Sequence, residues 1–227
     1  MTEKRVPFDR QFVERLVEQY PTPFHVYDEA GIRATAQEFA AAFDWVPGGF
    51  KNYYAVKALP NPSVMSIVSD EVMGFDCSSF SELALAEYLE SPGDQIMFTS
   101  NDTPMEEFAK AKELGAIINL DDYSHIDYVH EGIGLPGRIS IRYNPGSLKA
   151  GNVIIGKPEE AKYGFTREQV IAGYERARDL GVTEFGLHTM VASNELDPDY
   201  FVETGKLLFE LAVEVQQKTG VRISFVN

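Results

Sequence analysis

Short apolar, β-branched runs alternate along the chain with stretches whose apolar positions recur at helical spacing. Strand-type runs cover residues 50–58 (FKNYYAVKA), 74–77, 95–99, 116–120, 138–143, 185–191 and 221–226. Between them the spacing predicts helices over 61–70, 80–89, 104–114, 123–131, 167–180 and 198–219. Start signals mark several of these. Ser79 is placed to cap the second helix with Glu82 completing a capping box, Thr103 caps the third with Pro104 at its first position, and Thr166 caps the fifth. Gly115, Gly181 and Gly220 stop helices. A longer excursion, rich in Gly and Lys, occupies 144–164, and a helix over 10–19 and a short strand over 24–27 precede the first unit.

Strands that alternate with helices are the signature of a parallel sheet covered by helices. Seven such strands approach the eight of a (β/α)8 TIM barrel. A doubly wound sheet is the competing architecture, and it is weakened because no GxGxxG follows an early strand. The division expected is an N-terminal helix and strand over 1–27 and a barrel domain over 28–227. The last strand expected is the seventh, so the barrel is expected to be truncated, or completed by further polypeptide.

The chain has 227 residues, enough for one large core. No apolar run approaches a bilayer span, and MTEKRVPFDR has no apolar signal region, so neither membrane nor secretion is expected. Cys77 is the only cysteine, which excludes an intramolecular disulfide and suits the cytoplasm. Lys and Arg total 20 against 35 Asp and Glu, a net charge of 20 − 35 = −15. That charge repels a phosphate backbone and argues against nucleic acid as a partner.

Functional groups in (β/α) barrels sit at the C-terminal ends of strands. Those ends carry Lys57, Asp76, Ser100, Asn119, Arg142, His188 and Ser193. There is no HExxH and no cluster of metal-ligand type, so a catalytic metal is not indicated. Lys57 ends the apolar run Tyr53-Tyr54-Ala55-Val56, where an amine is expected to be partly desolvated and suited to Schiff-base chemistry. From pattern alone an ordinary strand-end lysine at the surface is the favoured reading.

The run Tyr54-Ala55-Val56-Lys57-Ala58 resembles the cofactor-lysine motif of the fold-type III pyridoxal-phosphate (PLP) decarboxylases, the group that includes diaminopimelate, ornithine and arginine decarboxylases. Four further segments resemble that family in the same order: Thr22 to Asp28 (TPFHVYD), Gly74 to Ser79 (GFDCSS) with Ser81-Glu82, Arg142-Tyr143-Asn144-Pro145, and Lys162-Tyr163-Gly164-Phe165. The resemblance implies an alanine-racemase-like barrel with PLP as cofactor. It implies that Lys57 forms the imine with PLP and moves protons. Asp76 and Arg142 then lie beside the pyridoxal ring, and Ser193 binds the phosphate. PLP acts as the electron sink for decarboxylation.

This sequence departs from the family in two ways. The family reads GLHCHIGS where this chain has Gly186 to Ser193 as GLHTMVAS, so Met190 replaces the histidine that stacks on the ring. A thioether packs on a ring face but donates no proton, and His188, two residues away on the same strand face, is the candidate to share that role. The family's glycine-rich phosphate loop, its acid for the pyridine nitrogen and its C-terminal β-domain are absent from these 227 residues. The activity implied is decarboxylation of an amino-acid substrate, meso-diaminopimelate in preference to ornithine, arginine or lysine, by a homodimer when complete. The alternative is a non-catalytic PLP-binding homologue or decoy partner.

Overall fold

The computed structural model describes residues 6–148 and 163–227. The chain folds into two compact units, one of residues 1–52 with 63–73, the other of 53–62 with 74–227.

The first unit holds three helices among the described residues: α1 (Arg10–Gln19), α2 (Glu29–Ala41) and α3 (Pro62–Asp70), whose first residue belongs to the other unit. Asp9 caps α1 by accepting a hydrogen bond from the Phe12 N–H at 2.7 Å. Sequence pattern did not show α2, whose alanine-rich stretch has little amphipathic contrast. Tertiary contacts anchor it. Arg33 reaches Asp70 at 3.0 Å and Glu71 at 3.1 Å, and Gln37 donates to Glu71 at 2.8 Å. Phe39, Phe43 and Phe50 form an aromatic cluster, with the last two stacked at 3.9 Å. Residues 24–27, expected as a strand, pair with no other strand and are not one.

The second unit is built on a single parallel sheet. Its strands are β1 (Tyr53–Ala55), β2 (Gly74–Cys77), β3 (Ile96–Thr99), β4 (Ile117–Leu120), β5 (Arg138–Arg142), β6 (Glu184–His188) and β7 (Ile223–Val226). They are hydrogen-bonded in chain order, each parallel to the next, as in a (β/α) barrel, and the described residues supply seven strands of it. A doubly wound sheet would have broken that order. The unit's other helices are α4 (Phe80–Tyr88), α5 (Met105–Glu113), α6 (Ser124–Ile133), α7 (Arg167–Asp179) and α8 (Pro198–Thr219).

Parallel strands are buried on both faces, which is why most positions in these runs are apolar. All four residues of β4 are buried, and Phe75, Cys77, Ile96, Phe98, Ile139, Ile141 and Leu187 are buried with them. The helices contribute Leu83, Phe108, Ile126, Val129, Val170, Tyr174 and Val215. Gly186 leaves room that β7 fills, since a Cβ there would collide with the Phe225 ring.

The local signals succeed unevenly. Thr166 and Gln169 form a reciprocal capping box at the start of α7, and Gly220 closes α8 in the left-handed conformation. Ser79 caps α4, but Glu82 does not close the box on the Ser79 N–H; its carboxylate accepts instead from the Ser78 N–H at 2.9 Å. Thr103 caps nothing, because Pro104 itself occupies the cap of α5 and the buried Thr103 hydroxyl finds no partner among the described residues. The strand expected over 50–58 is three residues long, because the chain turns at Val56–Ala58 into a 3-10 turn. The strand expected over 185–191 ends at His188. Most of the 144–164 excursion, including Lys162, lies outside the described residues.

Candidate active site

A cavity of about 360 Å³ opens at the C-terminal ends of the strands, lined by Lys57, Asp76, Ser78, Thr99, Ser100, Asn101, Arg142, Tyr163, His188 and Met190. All of these belong to the second unit. Five of the residues singled out from sequence as catalytic or cofactor-binding, namely Lys57, Asp76, Arg142, His188 and Met190, therefore converge on one space. Ser193 does not line it; that side chain lies in the segment after β6, where its hydroxyl is 3.5 Å from the Asn194 amide. Among the described residues no group of three or more His, Cys, Asp or Glu is placed to hold a metal. No helix among them is long and apolar enough to cross a membrane.

Lys57 is presented by the 3-10 turn that follows β1. The backbone leaves the sheet one residue before it, so the side chain is exposed rather than partly desolvated, which corrects the burial expected for it. Asp76 projects from β2 and accepts a hydrogen bond from the Thr99 hydroxyl at 2.9 Å. Burial lifts its carboxyl to about 6, against the opposing pull of that hydrogen bond and of Lys57 and Arg142, while Glu82 adds to the rise.

Arg142, at the end of β5, is held on several sides. Its Nη1 lies 2.7 Å from the Asp121 carboxylate and 3.0 Å from the Asn101 side-chain oxygen, and its guanidinium stands 4.3 Å from the centre of the Tyr163 ring. Both members of the Arg142–Asp121 pair are buried. Burial pushes the Asp121 carboxyl upward, and the Arg142 charge beside it opposes that push. The backbone carries the arrangement further. The Gly164 N–H donates to the Asp121 carbonyl at 2.8 Å, and the Phe165 N–H to the Arg142 carbonyl at 2.7 Å.

His188 is buried at the end of β6 and its Nδ1 is hydrogen-bonded to the Asn227 side-chain oxygen. Burial, helped by the Arg142 charge, lowers its pKa to about 4, so the ring is neutral near pH 7. With Nδ1 as the donor to Asn227, Nε2 is a lone-pair acceptor, and it has no partner among the described residues.

Thr99, Asn101, Asp121 and Tyr163 were missed from sequence as site residues. Asn101 and Asp121 lie just past the strand ends that were read, and only the spatial position of Arg142 shows what they do. Asn119, which was read as a strand end, does not line the cavity but lies behind it, donating to Thr99 at 2.7 Å.

Residues 29–227 match the family model described as the pyridoxal-binding domain of pyridoxal-dependent decarboxylases. The chain is 37% identical to Protein TabA of Pseudomonas amygdali pv. tabaci over 215 residues, 95% of this chain and 50% of that protein. It is 32% identical to a diaminopimelate decarboxylase of Methanothermobacter thermautotrophicus, over 93% of this chain and 50% of that one. Among solved structures, a diaminopimelate decarboxylase of M. jannaschi superposes with a TM-score of 0.82 at 22% identity, covering 94% of this chain and 52% of that chain. A lysine decarboxylase of Selenomonas ruminantium superposes at 0.80 and 21%, covering 97% and 55%. The chain thus spans about half the length of the relatives it matches. Matched across most of its length and folded as their barrels are folded, it belongs to the pyridoxal-dependent decarboxylases, as a pyridoxal-binding domain.

Proposed function

We propose that this chain is the cofactor-bearing part of a PLP-dependent amino-acid decarboxylase, with meso-diaminopimelate as substrate. The observation that carries the proposal is the convergence of Lys57, Asp76, Arg142 and His188 on one cavity at the C-terminal end of the sheet. The similarity to a diaminopimelate decarboxylase at 32% identity favours that substrate.

The residues present fit the cofactor. A cavity of about 360 Å³ lies in the range of small-ligand sites. A primary amine, a carboxylate and a fixed guanidinium line it, and a buried imidazole nitrogen there has no partner among the described residues. When bound, PLP supplies an electron sink for the electron pair left behind as CO₂ departs. Lys57, presented on an exposed turn, would be the amine that holds the cofactor. Asp76, which feels the Lys57 charge across the same cavity, would orient that amine. Arg142, locked by Asp121 and Asn101, offers a positive charge whose position is set before any ligand arrives. Neutral His188 offers an acceptor nitrogen, and Met190 offers a polarizable surface for a ring to pack on. Ser193, which lies in the segment after β6 and does not line the cavity, would have to reach a cofactor phosphate from outside that lining.

A second reading, cofactor binding without turnover, is favoured by Met190, which cannot carry a proton. Borohydride reduction in the presence of PLP followed by peptide mapping tests the cofactor assignment. The label is expected on Lys57, and a label on Lys51 or Lys162 instead overturns it.

A further inference from the structure

From behind the cavity to its wall runs a line of polar side chains that crosses three strands. The Asn119 amide nitrogen donates to the Thr99 hydroxyl oxygen at 2.7 Å, and the Thr99 hydroxyl donates to the Asp76 carboxylate at 2.9 Å. The three residues belong to β4, β3 and β2, and Thr99 and Asn119 are register partners across the β3–β4 ladder. Asn119 is buried to 1% exposure, so its hydrogen bonds do not compete with bulk water.

The direction of the line follows from donor counting. A threonine hydroxyl has one proton. Its oxygen already accepts from Asn119, so the proton is available to Asp76. The Asn119 amide is itself oriented: its nitrogen also approaches the Met97 sulfur at 3.9 Å, a weak acceptor. Turning the amide over would set an oxygen against that sulfur and leave the Thr99 proton drawn away from Asp76.

We infer that Thr99, oriented by Asn119, is a positioning residue that fixes the Asp76 carboxylate in the cavity. The inference rests on the reading of Asp76 as the group beside the cofactor lysine, and it adds a device to that reading. Asp76 is the only one of the three that lines the cavity with a carboxylate, and Lys57, Glu82 and Arg142 are the charged groups that act on it. None of the three charged groups belongs to β3, the side on which Thr99 sits. A single uncharged donor there sets the rotation of the carboxylate and favours its ionised form. Without it, burial acts with less opposition and the proton is held more tightly.

The test reads Asp76 directly, in the chain without cofactor. The Asp76 carboxyl carbon is followed by ¹³C NMR through a pH titration in wild type, Thr99→Val, Thr99→Ser and Asn119→Leu. Thr99→Val is expected to raise the Asp76 midpoint by about half a unit or more, as loss of a hydrogen bond to the charged form does. Thr99→Ser restores the wild-type midpoint, and Asn119→Leu shifts it the same way as Thr99→Val by less. A merely structural role for Thr99 would not separate Val from Ser. Equal midpoints in wild type, Val and Ser overturn the inference. Wild type alone supplies a second readout: exchange of the Thr99 hydroxyl proton for deuterium shifts the Asp76 carboxyl resonance if the bond exists, and absence of that shift overturns the inference even where a variant fails to fold. Absorbance titration of wild type with PLP is run beside these. Failure to bind PLP counts against the proposed function and leaves the Asp76 titration to decide on Thr99.

Discussion

His188 and Asp76 face one cavity with opposite demands on the proton. The folded pKa of His188, about 4, lies below its ordinary 6.5, so its contribution to stability is intact above about pH 6.5 and is lost as pH falls through 4. The folded pKa of Asp76, about 6, lies above its ordinary 3.8, so its contribution is present below about pH 4 and is lost as pH rises through 6. The two windows overlap between about pH 4 and 6 with opposite sign, so denaturant unfolding of wild type is expected to change little there. Asp76→Asn exposes the His188 effect, a loss of stability on the order of 3 kcal/mol as pH falls from about 6.5 to 4, and His188→Gln exposes the opposite slope from Asp76. A flat profile in Asp76→Asn would show that the His188 ring is not buried and neutral. Met190 poses a separate question. Met190→His is expected to tighten PLP binding several-fold by absorbance titration, since an imidazole both stacks on a ring and hydrogen-bonds. Weaker binding would assign Met190 a packing duty that a histidine cannot meet. Much of this scale was legible in sequence, because Lys57, Asp76, Arg142 and His188 end strand-type runs. The partners of those residues were not, because a hydrogen bond across 21 residues, such as Arg142 to Asp121, leaves no mark in either local pattern.

Among the elements, α7 shows local chemistry agreeing with the fold. Its capping box is complete, with the Thr166 hydroxyl accepting from the Gln169 N–H and the Gln169 side chain accepting from the Thr166 N–H at 2.9 Å. Thr166→Ala is expected to cost about 1 kcal/mol in denaturant unfolding, and Thr166→Ser close to nothing. Equal losses would indicate that the methyl group, not the hydroxyl, is what matters. On its other side α7 is tied to α8 by the Arg167–Glu214 pair and to α6 by Arg176–Asp127, exposed contacts of small individual worth. Strand lengths proved less legible than helix ends. An apolar run continues past the point where a strand leaves the sheet, so 50–58 read as one strand while the ladder with β2 lasts three residues. That early departure places Lys57 on an exposed turn.

At the scale of the molecule, the described residues carry seven sequential parallel strands, and the chain spans about half the length of the relatives it matches. Assayed by itself with saturating PLP, it is expected to bind the cofactor and to release little or no CO₂ from meso-diaminopimelate, lysine, ornithine or arginine. The prediction is that turnover needs groups supplied by the half of those relatives' length that this chain does not span. Robust CO₂ release would show that the groups around Lys57 suffice.

The sequence by itself determined the repeating strand and helix units, most helix boundaries, and the strand-end residues Lys57, Asp76, Arg142 and His188. These follow from periodicity and capping, which act over a few neighbouring residues. Only the tertiary structure decided that α2 forms, that Lys57 is exposed, and that Asp121 and Asn101 hold Arg142. It alone set the line from Asn119 through Thr99 to Asp76. Each of these depends on side chains far apart in the chain, whose meeting is fixed by strand register and by how the elements pack, quantities that no short stretch of sequence contains.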